Sequence, residues 1–497
     1  MATRINLTEE QYVQFSLLSQ GQKRLIYSEL LEILQYTGAN IHHEGARQLL
    51  ADNGCTVKGD RVFLPSQLVR WAIRNIPPVT TIHHWDDRDS GILRIEQDRT
   101  YFGPGPTCPW FIDPYTGERR RYLRKDAATV ARLCEALPSI GFVMSLGTIS
   151  DVPKGLADIY EFTEMIQNCT KPVIAWSYSG EHCRDIHNIA SIIAGGEDKL
   201  RHRPIYILYN EPISPLSMDC HAIEKLMHSA RKGVPQIFAP ANTAGATVPA
   251  THAAHIVVSL AESLIGVVLA QLTNPGSCIV IGGTQSIMDM KAMTFCYGAP
   301  ELSVLSAGIS EMAEYIGLPS FIAGGCSDSK VTDLQSAIEA NISLQSSLLT
   351  PGNLVHDIGF LASGMTGSLT QLVMADEILS MSRHIVQGIE VTEETMATDE
   401  IRRIGPSGNY KDTAYTKNHS EHHWKPRFMD RNSYQDWFKA GKITMKKRME
   451  DYTRSLLKEH EGPINKISSR KKTEINLILD AAEEYGKSNE SVDDQSI

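Results

Sequence analysis

The feature that most constrains this chain is an alternation that begins near residue 125 and runs to about residue 390. Short apolar runs recur there: Ile140–Leu146, Pro172–Trp176, Ile205–Tyr209, Gln236–Ala239, Cys278–Ile281, Pro319–Ala323 and Asn353–Ile358. Most lead into a loop rich in Gly, Pro, Ser or Asn and then into a helical pattern. Ala157–Asn168, Cys220–Lys232, Ala250–Leu272, Ser306–Ile316, Lys330–Ser347 and Gly367–Gln387 are those patterns. Strands alternating with helices specify a parallel sheet. Seven strands, with an eighth expected near Glu301–Leu305, predict an α/β fold, a closed (β/α)8 TIM barrel. An open doubly wound sheet would carry G-x-G-x-x-G after its first strand, and no such motif stands in that context.

Three regions follow. Residues 1–110 read as an N-terminal α+β segment, with helical spacing over 8–36 and β-rich runs at Thr80–His84, Gly91–Ile95 and Thr100–Phe102. Residues 125–390 are the barrel. Residues 391–497 form a C-terminal extension, folded to about residue 455 around Trp424 and Trp437, with a charged tail from Lys487 expected to fray.

Composition removes several function classes. The formal net charge is −10, so the chain has no electrostatic footprint for nucleic acid or anionic membrane. No run of 18 uninterrupted apolar residues is present, and the first residues lack the apolar core of a secretory signal, so a cytoplasmic location is expected. The nine cysteines form no C-x-x-C pair and read as reduced thiols. His252/His255 and His419/His422/His423 lack metal-ligand spacing, so no metal and no tightly bound cofactor are expected. There is no G-x-S-x-G elbow and no P-loop.

In a parallel barrel the chemistry sits in the loops after the strands. Those loops carry Trp176 and Tyr178; Tyr209, Asn210 and Glu211; Asn242; Gln285; Gly324, Gly325, Asp328 and Ser329; and His356, Asp357 and Gly359. Amides, hydroxyls, carboxylates and aromatic rings dominate. Lysine and arginine are absent until Lys330. This lining suits a cation or a neutral polar ligand better than a phosphate. Each residue has a plainer reading. Glu211 could complement a helix dipole, the glycines could make tight turns, and Asp328 could cap the Lys330 helix. His356 beside Asp357 could be a satisfied core pair, but at a barrel mouth a functional role is the better expectation.

Several segments resemble the trimethylamine methyltransferase (MttB) superfamily. They are Phe102-Gly103-Pro104-Gly105; Asp113-Pro114-Tyr115-Thr116-Gly117-Glu118-Arg119; Asn210-Glu211-Pro212-Ile213-Ser214-Pro215-Leu216; Gly324 to Lys330 with Asp333 and Gln335; and Gly408-Asn409-Tyr410 with His419 to Pro426. The resemblance covers about residues 10–455. It implies a TIM barrel that moves a methyl group from a methylated amine to Co(I) of a corrinoid (cobalamin) on a small partner protein. The founding members carry pyrrolysine. This sequence has only the twenty standard residues, which points to the glycine betaine methyltransferase-like members. Glycine betaine, giving dimethylglycine, is therefore the first expectation. Proline betaine, carnitine and γ-butyrobetaine, or a non-enzymatic betaine-binding protein, are the alternatives.

The resemblance and the strand-end logic together assign roles. His356, Glu211 and Asp328 are the expected catalytic residues. Tyr101, Phe102, Trp176, Tyr178, Tyr209, Asn210, Asn242 and Gln335 are expected to bind substrate. Gly324, Gly325, Ser329, Gln285 and Gly359 are expected to face the corrinoid. A homo-oligomer is also expected.

Overall fold

A computed structural model describes residues 15–86, 92–96, 99–153, 155–462 and 467–493. The apolar runs form parallel strands because both faces of each are covered, one by the barrel interior and one by helices. Seven strands pair in the order Tyr101–Pro104, Leu354–Ile358, Ser320–Ala323, Ile279–Asp289, Gln236–Phe238, Tyr206–Asn210 and Val173–Ala175. Residues 140–143 close the ring. Ile140 bridges Phe102 on one side and Val143 bridges Val173 on the other, both parallel. Each strand is followed by a helix, so the fold is a (β/α)8 TIM barrel with an N-terminal α+β segment and C-terminal helices.

The eighth strand differs from the sequence expectation. Glu301–Leu305 is the opening of helix Pro300–Ile316, which starts with proline in its first turn. The missing strand is Tyr101–Pro104, paired in parallel with Leu354–Ile358. Its Gly-Pro ending reads as a turn in the sequence. A Cβ on Gly103 would lie 2.2 Å from the Phe142 ring, so the residue is glycine because the neighbouring strand sits against it.

Strand alternation sorts the side chains. Ile207 packs inside the barrel with Phe142, Ile174, Ile237, Val280, Phe321 and Leu354, while Tyr206 and Leu208 face the helices. The antiparallel pair Thr80–Ile82 and Leu93–Ile95 adds Ile82, Leu93 and Ile95 to that interior cluster. Residues 87–91, which include the start of the run expected at Gly91–Ile95, lie outside the described residues.

Helix His252–Thr273 is long and apolar enough to cross a membrane by length and composition, but 89% of its apolar window is buried in the protein. Helices Gln20–Glu32, Ser66–Arg74 and Cys220–Lys232 all pack on it. A helix apolar on nearly every side is what a core position demands, and its buried Ser259 and Glu262 are hydrogen-bonded by Asn242.

The C-terminal helices are tied to the barrel wall. Met445–Glu459 packs on Leu369–Val386 and Arg124–Ala136, and Ser469–Asp493 packs on Gly180–Ala194. The tail expected to fray is helical through Asp493, and residues 494–497 lie outside the described residues. The main electrostatic tie is Arg427. Its guanidinium bonds Asp376 and reaches Glu377 at 3.1 Å, and its backbone N–H donates to Glu377 at 2.8 Å. Both carboxylates are buried, so they depend on this cation. Arg427→Ala leaves both buried carboxylates without it. We predict a loss of about 3–5 kcal/mol in chemical denaturation, the usual cost of removing one partner from a buried pair. A loss under about 1 kcal/mol would show that the extension is held by apolar packing alone.

Candidate active site

The fourth barrel strand explains how the site is built. Its inward row continues from Ile207 to Tyr209 and then to Glu211 just beyond the strand end. The Tyr209 hydroxyl donates to Glu211 Oε2 at 2.8 Å. Glu211 retains accessible surface, although protein surrounds it on nearly every side. Loss of water raises the Glu211 carboxyl above its ordinary range, and Asp357 adds to the rise, while the Tyr209 hydroxyl opposes it.

An aromatic wall runs from Tyr209. Its ring centre lies 5.4 Å from Phe321, and the Phe321 ring stacks flat on His356 at 3.8 Å and 2°. His356 Nδ1 pairs with Asp357 Oδ1 at 2.8 Å. That bond places the proton on Nδ1 and leaves Nε2 as a lone pair in the neutral ring. Nε2 is buried and has no partner among the described residues. Asp357 adopts a left-handed backbone, φ 71°, which Asp tolerates better than most residues.

The third strand ends on Trp176, whose ring meets Tyr178 edge-on at 4.6 Å. The Trp176 indole donates to Glu161 Oε2 at 2.8 Å, and the backbone N–H of Ile149 donates to the other oxygen at 2.9 Å. Glu161 is fully buried on helix Ala157–Asn168, and burial pushes its pKa up to about 8. Asp158, one turn earlier, accepts from the Tyr178 backbone N–H at 2.8 Å and from His182 at 3.0 Å. Burial would lower the His182 imidazole, but the Asp158 carboxylate outweighs it and raises it. Strand-end reasoning missed Glu161 and Asp158, since both lie inside a helix. Their available signal was two carboxylates three residues apart on one face of the helix Ala157–Asn168.

The other expected site residues are placed elsewhere or fully occupied. Tyr101 is deep in the barrel, its hydroxyl accepting the Arg94 N–H, and Phe102 faces outward beneath Arg383. Asn210 turns outward and donates to Ala222 O at 2.6 Å. Asn242 bonds Ser259 and Glu262, and Gln285 bonds His255, Ser259 and Pro240, so both amides are occupied by the protein. Gln335 is exposed and pairs with Glu339 along its own helix. Ser329 donates to Val331 O and Asp333. Gly324, Gly325 and Gly359 face protein and no open space: an added Cβ would meet Val355, Ile358 and Leu372 respectively within 3.0 Å.

Asp328 accepts the Tyr297 and Gly298 backbone N–H groups at 2.9 and 2.8 Å and the Ser363 hydroxyl at 2.8 Å. It joins three loops, and the cap of helix Leu334–Leu349 is Asp333. One metal-type trio exists among the described residues: His43, Cys220 and Glu224 bring ligand atoms within 4.8 Å of one another. His43 Nδ1 already accepts the Ala46 N–H as a helix cap.

Comparison with known proteins fits this geometry. The trimethylamine methyltransferase (MTTB) family model matches residues 2–474. The chain is 32% identical over 466 residues to trimethylamine methyltransferase MttB of Desulfitobacterium hafniense (strain DSM 10664 / DCB-2), covering 93% of both chains. It is 30% identical over 455 residues to the glycine betaine methyltransferase of Desulfitobacterium hafniense (strain Y51), covering 90% of this chain and 94% of that one. The fold is shared with the crystal structure of Methanosarcina barkeri monomethylamine methyltransferase (MtmB), with TM-score 0.51 and 12% identity over 91% of this chain and 90% of that one. A TIM barrel with a polar, aromatic mouth defines the class as a barrel enzyme. The chain belongs to the trimethylamine methyltransferase (MttB) family and is a methyltransferase.

Glu161 also sets a pH dependence. Its native pKa near 8 lies above the unfolded value, so the folded chain holds a proton that the unfolded chain has released between about pH 4.5 and 8. Stability from this group is therefore present below that window and falls as pH rises through it. Glu161→Gln mimics the neutral acid. We expect the drop in Tm between pH 6 and pH 9 to shrink in this variant; an unchanged slope would mean that Glu161 is ionised throughout.

Proposed function

We propose that this methyltransferase moves a methyl group from a quaternary amine, glycine betaine first among them, to Co(I) of a corrinoid on a separate small protein. The observation that carries this reading is the Tyr209–Glu211 pair beside the Phe321–His356 stack. Aromatic faces and an adjacent carboxylate are the groups that hold a quaternary ammonium. The relative named glycine betaine methyltransferase, and the absence of any non-standard residue, support the quaternary substrate.

A quaternary amine needs no acid to activate it. When its N–CH3 bond breaks, the electron pair stays on nitrogen and a neutral amine leaves. The corrinoid supplies the nucleophilic electron pair that the methyl carbon accepts. The residues of this chain supply position. Tyr209 and Phe321 face the cation, Glu211 balances its charge, and Trp176, propped by Glu161, walls the third strand end. Displacement requires the nitrogen, methyl carbon and cobalt in line, so orientation and exclusion of water carry the rate. His356 is assigned to the transfer path. Its buried, unpartnered Nε2 is the feature that fits a polar group arriving from the partner's corrinoid. The filled space beside Gly324, Gly325 and Gly359 does not fit a corrin face, and those glycines have no part in the reading.

The test is absorbance of free Co(I)alamin with enzyme and, in turn, glycine betaine, proline betaine, carnitine, γ-butyrobetaine, choline and trimethylamine. Loss of the Co(I) spectrum with a betaine supports the reading. Conversion of trimethylamine alone overturns it. In the same assay Glu211→Gln should raise KM roughly ten- to a hundredfold, about 1–3 kcal/mol for one charge interaction in an enclosed site. His356→Asn keeps a donor for Asp357 and deletes Nε2. Methyl transfer should fall at least tenfold, about 1.4 kcal/mol of barrier, with Tm nearly unchanged. Wild-type turnover in this variant would remove His356 from the path.

A further inference from the structure

Helix Cys220–Lys232 sends Lys225 toward the loop between the third strand and its helix. Lys225 is only 9% exposed. Its ammonium donates to Ser177 O at 2.7 Å, and among the described residues it makes no other hydrogen bond and no ion pair. An ammonium has three donors. The other enclosed lysines are satisfied. Lys171 donates to Cys134 O, Leu137 O and Ile140 O, and Lys23 pairs with Glu311 at 3.0 Å. A nearly buried charge with one neutral acceptor is costly, and a fold retains it where a further partner arrives.

Its location says what that partner is. Ser177 lies between Trp176 and Tyr178, so the ammonium sits behind the aromatic end of the third strand. Asp219, Asp158 and Glu211 are the carboxylates whose charge reaches it. Glu211 faces the mouth and is the group proposed to meet a substrate cation. A betaine carries a quaternary ammonium and a carboxylate one carbon apart, so a site with a carboxylate and an ammonium close together matches it at both ends.

We infer that Lys225 anchors the substrate carboxylate, and that it makes the site selective for carboxylated quaternary amines over cations without a carboxylate. This rests on the quaternary-amine reading. Sequence reasoning missed it because the cation comes from the following helix and not from a strand end.

The test is calorimetric titration of the full chain with glycine betaine and with tetramethylammonium, which keeps the cation and lacks the carboxylate. Wild-type protein should bind glycine betaine at least tenfold tighter. Lys225→Met should remove at least tenfold of glycine betaine affinity and leave tetramethylammonium within about twofold, and Lys225→Arg should restore most of the loss. Equal wild-type affinities for the two ligands would overturn the inference even if no variant folds, while leaving the quaternary-amine reading intact. A Lys225→Met variant that loses both ligands equally would overturn it too, since the lysine would then be structural. If wild-type protein binds neither ligand, the quaternary-amine reading fails and the inference falls with it.

Discussion

The molecule depends on the seam where its first barrel strand meets its last. A parallel sheet of eight strands has no exposed edge only if Tyr101–Pro104 is held on both sides, by Leu354–Ile358 and by residues 140–143. The seam is short and tightly approached. Besides Gly103 against Phe142, a Cβ on Gly105 would come within 2.2 Å of Asp357 Oδ1. The register with the first strand shifts between Val355 and Ile358, and Asp357 takes its left-handed turn inside that shift. The irregularity that closes the barrel therefore also aims Asp357 back at His356. Closure and the placement of the histidine are one structural event.

This seam marks the limit of what was legible in sequence. Seven strands announced themselves through β-branched, apolar runs, since buried parallel strands need such residues on both faces. The run at Thr100–Phe102 reads as β but is cut short by Gly103-Pro104 and falls in the N-terminal segment, so its place in the barrel depends on neighbours far away in the chain. The same split holds in the site. The inward parity of Tyr209, Glu211, Trp176 and His356 follows from their positions along the strands and is legible in the sequence. Asn210 was assigned to the mouth from its strand-end position, but its neighbour Tyr209 takes the inward face and parity turns Asn210 to the helix layer. Asn242, Gln285 and Asp328 look like ligand residues in a string, yet buried backbone and side-chain partners already use them. Polar side chains at strand ends serve loop closure as often as chemistry, and only the hydrogen-bond census separates the two.

Charge at the mouth follows from the same accounting. Asp158, Glu161, Glu211 and Asp357 lie on or just beneath it; Lys225 and His182 face them, and the neutral His356 bonds Asp357. Burial and pairing divide them. Glu161 is fully enclosed and holds its proton, so it serves as a neutral prop for the Trp176 indole. Asp158 is tied to His182 and to the Tyr178 backbone.

That division leaves Glu211 as the carboxylate exposed at the strand end, with the Tyr209 hydroxyl as its side-chain hydrogen-bond partner. Its raised pKa has the same origin as its usefulness: water is scarce around it, so its charge is poorly compensated until a cation arrives. A quaternary ammonium cannot donate a hydrogen bond and cannot take the proton from a carboxylic acid. It acts on Glu211 by field alone, and that field favours the ionised form. Binding of such a cation and ionisation of Glu211 are therefore coupled, each lowering the cost of the other. A primary or secondary ammonium would instead hydrogen-bond the carboxylate directly and draw the cation out of alignment. In the proposed reading the product forms as a neutral tertiary amine, whose nitrogen no longer carries the charge that Glu211 balances, so the carboxylate favours the substrate over the product at the moment of transfer.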